Sequence, residues 1–216
     1  NEMIVEQVKT LLTAREQLIK QKTATQNAYQ SLKQKAVKTP SATEVLKKTA
    51  EHLKGQVKAL EEAIERLLED HPSMAQMVEL VGTAPGAGDL LSAHMLVLTD
   101  GFTKEPTYRT LASFLGICPN EHQSGTRRRK PTSRGYGPSM MRKLLHLAAC
   151  SVKEHNDQFA HYFRRKRKEG KPKALVINNI ANKLLRIICG MIKNKKPYIP
   201  DYQSIHPRLR KAGTRS

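Results

Sequence analysis

Apolar residues recur at alternating spacings of four and three along the first 70 residues of the chain. The repeating positions are Ile4, Val8, Leu11, Leu18, Thr25, Tyr29, Leu32 and Ala36, followed by Leu46, Ala50, Leu53, Val57, Leu60, Ile64 and Leu67. A repeat of about 3.5 residues predicts helices that supercoil along a narrow apolar seam. The polar residues Arg15 and Lys22 interrupt that seam in the first helix.

A helix-breaking stretch, Lys38-Thr39-Pro40-Ser41, separates the two repeats. Ser41 with Glu44 fits a capping box for the second helix, so we expect helices over roughly 2–37 and 43–70. The pattern predicts an antiparallel coiled-coil hairpin over residues 1–71, an arm for dimerisation or for holding a partner. Two helices of an ordinary bundle are the alternative.

After Pro72 the pattern changes to shorter apolar helices around glycine-rich turns. Residues 82–88, GTAPGAG, separate an apolar segment from a helix predicted over 89–98, as in a helix-hairpin-helix element. Gly86 and Gly88 would let the backbone approach a phosphate. The first backbone N–H groups of the next helix have no partner within that helix, so they suit a phosphate oxygen. An ordinary helix–helix turn is the alternative, with Asp89 as the dipole partner of its own helix.

Further helices are predicted over 107–115, 142–155 and 174–192, and alternating strand patterns are hard to find. The predicted fold class is therefore all-α: an antiparallel coiled-coil hairpin followed by a basic helical domain with a helix-hairpin-helix-like element. We predict that this domain covers residues 72–194. A basic, disordered tail is expected over residues 195–216.

Charge is concentrated after the predicted hairpin. The chain holds 38 Lys and Arg against 19 Asp and Glu, a formal net charge of +19. Residues 1–72 have a net charge of +2 and residues 73–216 one of +17. Such a surface favours nucleic acid as partner, because binding a polyanion releases its counterions. An anionic membrane is the alternative, although no apolar run approaches the roughly 20 residues of a spanning helix and no secretory signal is present.

The three cysteines do not form a recognisable motif. Cys118, Cys150 and Cys189 are odd in number and widely spaced, which is neither a disulfide framework nor a CxxC metal site. The histidines also lack ligand spacing, so no metal site is predicted. Three buried thiols in a reducing cytoplasm is the interpretation that we adopt.

The clearest candidate for chemistry is Ser124, in a turn just before Arg127, Arg128, Arg129 and Lys130. A serine can attack a phosphodiester when neighbouring groups neutralise the charge that develops on phosphorus, and guanidinium groups do so through bidentate contacts. The alternatives are a turn serine and a solvated arginine patch on the nucleic-acid backbone.

Other features of the sequence bear on which reaction Ser124 could carry out. His122 is a candidate general base, or else a phosphate contact or a bystander. The sequence has no GxSxG elbow, which argues against acyl-transfer hydrolysis, and no GxxxxGK[ST] loop, which argues against an ATPase.

A second basic run, residues 164–173, follows the aromatic residues Phe159, Tyr162 and Phe163. These rings are either core residues or stacking partners for an unpaired base. The residues predicted to contact nucleic acid are Gly86, Gly88, Arg127, Arg128, Arg129, Lys130, Arg134, Arg142, Arg164, Arg165 and Lys171.

Four blocks occur in order: LVGTAPGAG, LASFLGICPNEHQSG, GPSMMRKLLHLAA and FRRKRKEGKPKALVINNIANKLLRIICGMIK. With the heptad segment in front, the chain resembles the coiled coil and C-terminal domain of the insertion-sequence one-ten family transposases, the Piv/MooV-like, bridge-RNA-guided DEDD recombinases. The resemblance implies that Ser124 attacks a DNA phosphodiester and forms a transient phosphoserine link. It also implies donor and target DNA and a structured guide RNA as partners, homo-oligomerisation through the coiled coil, and a bacterial cytoplasmic, nucleoid-associated location.

The family also carries an N-terminal RuvC-like domain whose four acidic residues bind Mg²⁺, and none of those residues can be assigned here. We therefore expect no cofactor in this chain, and a portion of a longer protein or a degenerate remnant of an insertion sequence. The competing interpretation is a non-catalytic protein that binds nucleic acid and dimerises through the hairpin. A membrane-surface protein is a third.

Overall fold

The computed structural model describes residues 2–104, 107–118 and 137–200, together with the backbone of residues 123–124 and 127–128. Its elements are α1 (Glu2–Gln34), α2 (Pro40–Glu69), α3 (Pro72–Gly82), α4 (Asp89–Leu98), α5 (Tyr108–Phe114), β1 (Gln123–Ser124), β2 (Arg127–Arg128), α6 (Ser139–His155), α7 (Asp157–Lys168) and α8 (Lys173–Asn194). Within the described residues the only strands are β1 and β2, each two residues long, so the predicted all-α class is confirmed.

Helices α1 and α2 pack against each other in opposite directions. Leu12, near the start of α1, shares a core cluster with Ile64 and Leu68, near the end of α2. Arg15, at an interruption of the heptad seam, is half-buried and pairs with Glu61 of α2 at 2.6 Å. The heptad positions from Ile4 to Leu32 and from Leu46 to Leu67 are half-buried or buried, so the repeat predicted the face along which the helices meet.

The predicted capping box at the start of α2 is wrong. The helix begins at Pro40, and Thr39 takes the N-cap position without a side-chain hydrogen bond. Proline suits the first helical position because its missing N–H has no partner there in any case. Glu44 instead pairs with Lys48 one turn later, at 2.8 Å.

The base of the hairpin belongs to a core cluster of its own. Val5 and Val8 of α1 are buried together with Met74 of α3 and with Ala93 and Leu96 of α4. This cluster spans the boundary that the sequence suggested near residue 71. The hairpin is thus seated on the helical domain through apolar contacts as well as through the chain connection.

Helix α8 is the central element of the main core and packs against α3, α5, α6 and α7. Its buried residues are Val176, Ile177, Ile180, Ala181, Leu184, Leu185, Ile188, Met191 and Ile192. Contrary to the expectation from sequence, α8 is long and apolar enough, by length and composition, to cross a membrane. Here those apolar side chains fill the protein's own core.

Other element boundaries differ from the prediction. Helix α6 begins at Ser139 rather than Arg142, and the second basic run lies largely within α7, since this helix continues to Lys168. The prediction of a disordered tail from residue 195 does not hold for residues 195–200. Tyr198 packs against the main core, and its backbone N–H donates to Thr83 Oγ1 at 3.0 Å.

Candidate functional site

Ser124 lies in a two-stranded antiparallel ladder. Its register partner is Arg127, and Gln123 pairs with Arg128. The sequence predicted a turn but no strands, because two-residue strands are too short to show an alternating pattern. Of the other candidates near the serine, His122, Arg129, Lys130 and Arg134 lie outside the described residues.

The segment that leads into this ladder is fixed by helix α8. The carbonyl of Ile117 accepts hydrogen bonds from Nδ2 of Asn178 at 2.8 Å and from Nδ2 of Asn182 at 2.9 Å. Asn182 Oδ1 also lies 3.5 Å from the thiol of Cys118. Because Ile117 is 6% exposed, its carbonyl depends on these amides for hydrogen bonding.

The segment that leads out of the ladder contacts the first one directly. A Cβ atom on Gly137 would lie 2.4 Å from the carbonyl oxygen of Phe114 and 2.9 Å from Cα of Leu115, so only glycine allows this backbone contact. The guanidinium of Arg142 donates to the carbonyls of Gly137, at 2.7 Å, and Leu115, at 3.3 Å. We call residues 115–118 and 137–138 the loop stem.

Two predicted nucleic-acid contacts therefore have other roles in the structure. Arg142 is half-buried and binds backbone on both sides of the loop stem. Gly86 has φ +73, and a Cβ there would lie 2.7 Å from Val152 Cγ1 and 2.9 Å from the carbonyl oxygen of Ala148. The close approach predicted for Gly86 exists, but the neighbour is helix α6 of the same chain.

Gly88 differs from Gly86. It caps helix α4 with an extended backbone, and a Cβ there would meet no atom within 4 Å. Its carbonyl accepts from the backbone N–H of Ser92 at 3.1 Å. Packing does not require glycine at this position, so the predicted approach to a phosphate stays a prediction for Gly88.

The remaining predicted contacts, Arg164, Arg165 and Lys171, are exposed on or just after α7. Arg165 lies 3.9 Å from Glu169, and Lys166 pairs with the same carboxylate at 2.6 Å. The hydrogen bond from Lys166, with the charges of Lys166, Arg165 and Lys171, lowers the pKa of Glu169. This helix ends with five consecutive basic residues, which form a positively charged surface.

The aromatic residues of α7 pack against the core rather than lying fully exposed to solvent. Phe159 is buried, which confirms the core interpretation for that ring. Tyr162 and Phe163 are half-buried beneath lysines: Lys183 Nζ lies 3.6 Å from the Tyr162 ring centroid, and Lys153 Nζ lies 5.1 Å from that of Phe163. Burial, followed by the charges of Arg165 and Lys166, lowers the pKa of Lys183.

Sequence reasoning missed Asn178 and Asn182. The available signal was a pair of amides four residues apart on an otherwise apolar helix, which places both on one face. Their partner is 61 residues away from Asn178, too far for a local pattern. Among the described residues, no group of three His, Cys, Asp or Glu side chains lies close enough to hold a metal ion.

Comparison with known proteins adds to this geometry. Residues 78–164 match the family model described as the IS116/IS110/IS902 family of transposases. Pilin gene-inverting proteins from Moraxella lacunata and Moraxella bovis are each 29% identical over 149 residues, 68% of this chain and 46% of theirs. An uncharacterized 43.6 kDa protein of insertion element IS110 from Streptomyces coelicolor is 27% identical over 139 residues, 64% of this chain and 33% of that protein. The chain thus spans less than half the length of these curated relatives.

Proposed function

We propose that this chain, whose residues 78–164 belong to the IS116/IS110/IS902 transposase family, is the part of a DNA transposase or recombinase that carries its attacking serine. The observation that carries the proposal is the position of Ser124 within the matched segment, with Arg127 as its register partner. The names of the relatives point the same way, since two of them are described as inverting a pilin gene.

In the proposed reaction Ser124 Oγ attacks the phosphorus of a DNA phosphodiester. A phosphoserine bond forms, the bond to one deoxyribose oxygen breaks, and that oxygen takes up a proton. The serine proton passes to a base, and His122 is a candidate for it. Arg127 and Arg128 would neutralise charge on the non-bridging oxygens, where charge-assisted hydrogen bonds are strongest. Attack by a second strand's hydroxyl on the phosphoserine then releases the serine and completes strand exchange.

The loop stem supports this role for Ser124. A nucleophile gains from being held near its reactive position before substrate arrives. Asn178 and Asn182 hold Ile117 from one side, and Arg142 joins Gly137 to Leu115 from the other. The loop therefore starts and ends on the rigid core formed by α6 and α8.

Binding is proposed to involve the basic surface. Arg164, Arg165 and Lys171 are exposed, and residues 73–216 carry a net charge of +17. These features suit the phosphate backbones of donor and target DNA and of a structured guide RNA. We propose that the α1–α2 hairpin joins copies of the protein. The protein is proposed to act in the cytoplasm, at the bacterial nucleoid.

Mg²⁺ is not assigned to the described residues, because they contain no suitable ligand group. If a RuvC-like domain supplies the metal, its ligands lie outside the described residues.

The test uses the complete protein encoded by the gene, with Mg²⁺, RNA transcribed from the flanking sequence, and a labelled donor–target DNA pair. We expect a denaturant-resistant protein–DNA adduct that mass spectrometry maps to Ser124. The variant Ser124→Ala should form no adduct and still bind nucleic acid. The control is Ser113→Ala, which alters an exposed serine on α5 and should leave the adduct unchanged. Binding without any adduct would favour the non-catalytic, dimerising nucleic-acid-binding protein.

A further inference from the structure

A cavity of about 330 Å³ lies between the start of α5 and the C-terminal half of α8. Its lining includes Tyr108, Arg186 and Lys193, together with the buried side chains of Leu111 and Ile192. This volume is near the lower end of the range for small-ligand sites, about 300–1,000 Å³. We call it the α5–α8 cavity.

One residue of this cavity is unusual for its position. Gly190 lies inside helix α8, where glycine is less favourable than alanine by about 1 kcal/mol. A Cβ on Gly190 would meet no atom within 4 Å, so packing does not explain the glycine. Because Gly190 lines the cavity, a larger side chain there would fill it. The glycine keeps this space open.

The chemistry of the walls is aromatic and cationic. The guanidinium carbon of Arg186 lies 5.3 Å from the centroid of the Tyr108 ring. Arg186 and Lys193 are exposed, and the described lining residues include no carboxylate. A flat ring beside two cations suits a flat ligand that also carries negative charge.

The cavity is formed by α5 and α8, the helix that precedes the loop stem and the helix that holds it. Asn182, which holds Ile117, lies one helical turn before Arg186 on α8, and Leu111 and Leu115 occupy successive turns at α5. A ligand in the cavity would therefore contact the two helices to which the loop stem is attached.

We propose that the α5–α8 cavity binds one unpaired nucleotide of a single-stranded nucleic acid. The base stacks on the Tyr108–Arg186 pair, and Lys193 contacts the adjacent phosphate. A base inside a duplex cannot enter, because its faces are covered by its stacking neighbours. The inference rests on the proposed function only in taking nucleic acid as the partner, and it requires no reaction at Ser124.

The experiment measures binding of this chain to fluorescein-labelled 12-nucleotide RNA, to DNA of the same sequence, and to the corresponding DNA duplex, by fluorescence anisotropy. Gly190→Leu fills the cavity with a good helix former. Its matched control is Gly55→Leu, since Gly55 also lies inside a helix and a Cβ there would meet no atom within 4 Å. We expect Gly190→Leu to weaken binding to one or both single strands about tenfold and to leave duplex binding unchanged. Gly55→Leu should change neither.

A second variant, Tyr108→Leu, removes the ring and keeps an apolar side chain. It should weaken single-strand binding by about fivefold or more, the lower range for loss of one stacked base. A loss restricted to RNA or to DNA identifies which strand supplies the nucleotide.

The proposal is overturned if the parent chain binds no single strand, if Gly190→Leu binds single strands as tightly as the parent, or if it loses duplex affinity equally. These results are independent of the Ser124 adduct. If Gly190→Leu weakens single-strand binding but no Ser124 adduct forms, only the catalytic proposal is overturned. If the adduct forms but Gly190→Leu binds single strands normally, only the proposal for the α5–α8 cavity is overturned.

Discussion

The side-chain amide of Asn182 donates to the carbonyl oxygen of Ile117 across 2.9 Å, joining the core helix α8 to the start of the Ser124 loop. Asn178 reaches the same oxygen at 2.8 Å. Both hydrogen bonds connect side chain to backbone, so they fix the path of the chain whatever side chain residue 117 carries.

Replacing both amides should destabilise the loop stem. In Asn178→Ala with Asn182→Ala, the buried Ile117 carbonyl loses both donors, and such a loss costs about 1–3 kcal/mol. We expect this decrease in the free energy of unfolding in urea, and faster hydrogen exchange at residues 117–118. Asn194→Ala is the control, because Asn194 bonds the Gly190 carbonyl from an exposed position on the same helix. A double variant as stable as this control would contradict the assignment.

The two glycines of the 82–88 turn should respond differently to alanine. Gly86→Ala places a Cβ against Ala148 and Val152 at positive φ, and should lower the free energy of unfolding by about 2 kcal/mol or more. In Gly88→Ala the added Cβ lies in open space, so the free energy of unfolding should fall by about 1 kcal/mol or less. Chemical denaturation compares the two. Equal decreases in the free energy of unfolding for the two variants would show that α6 does not exclude a side chain at residue 86.

The pair between Arg15 and Glu61 should contribute modestly to the hairpin. Arg15 is 15% exposed, so Glu61→Gln leaves a largely buried guanidinium without its carboxylate. We expect a loss of about 1 kcal/mol, toward the upper end for partly exposed pairs, measured by thermal unfolding followed by circular dichroism. Glu6→Gln is the control, since Glu6 pairs with Lys9 where both side chains are mostly exposed, and it should have a smaller effect.

Acid should destabilise the fold partly through His94. Burial lowers the pKa of His94, an effect that Glu16 opposes and Arg15 reinforces. The unfolded chain has a histidine pKa of about 6.5, so it binds the proton first as the pH falls. The free energy of unfolding should therefore decrease below about pH 6.5, through the window down to the folded-state pKa.

The variant His94→Gln should reduce that decrease, measured as urea stability at four pH values that span the histidine titration. His52→Gln, at an exposed position on α2, serves as the control and should follow the parent protein. Identical pH profiles for His94→Gln and the parent would exclude His94 as a contributor.

The hairpin seam could be predicted because its information is local. Each heptad position lies three or four residues from the next, and all those from Ile4 to Leu32 are at least half-buried. The same pattern could not predict the partner of Arg15, which looked only like an interruption of the seam. Glu61 lies 46 residues further along the chain.

The candidate site was predicted less completely, for the same physical reason. The sequence singled out Ser124 and its arginines because they are neighbours along the chain. The groups that hold the loop stem come from distant helices, as with Arg142 and Leu115, which are 27 residues apart. Likewise, Gly86 is typical of a phosphate-binding turn in sequence, yet its close neighbours Ala148 and Val152 become visible only after α6 has packed.

The seating of the hairpin on α3 and α4 has a mechanical consequence. Helix α1 has 33 residues, a length of about 50 Å at 1.5 Å per residue. Its buried anchors, Val5, Val8 and Leu12, all lie within the first third of that length. The hairpin is thus a lever with its fulcrum beside Leu96: a tilt of about 10° at the base would move the tip by about 9 Å. Small repacking in the core cluster at its base is therefore amplified at the far end of the arm.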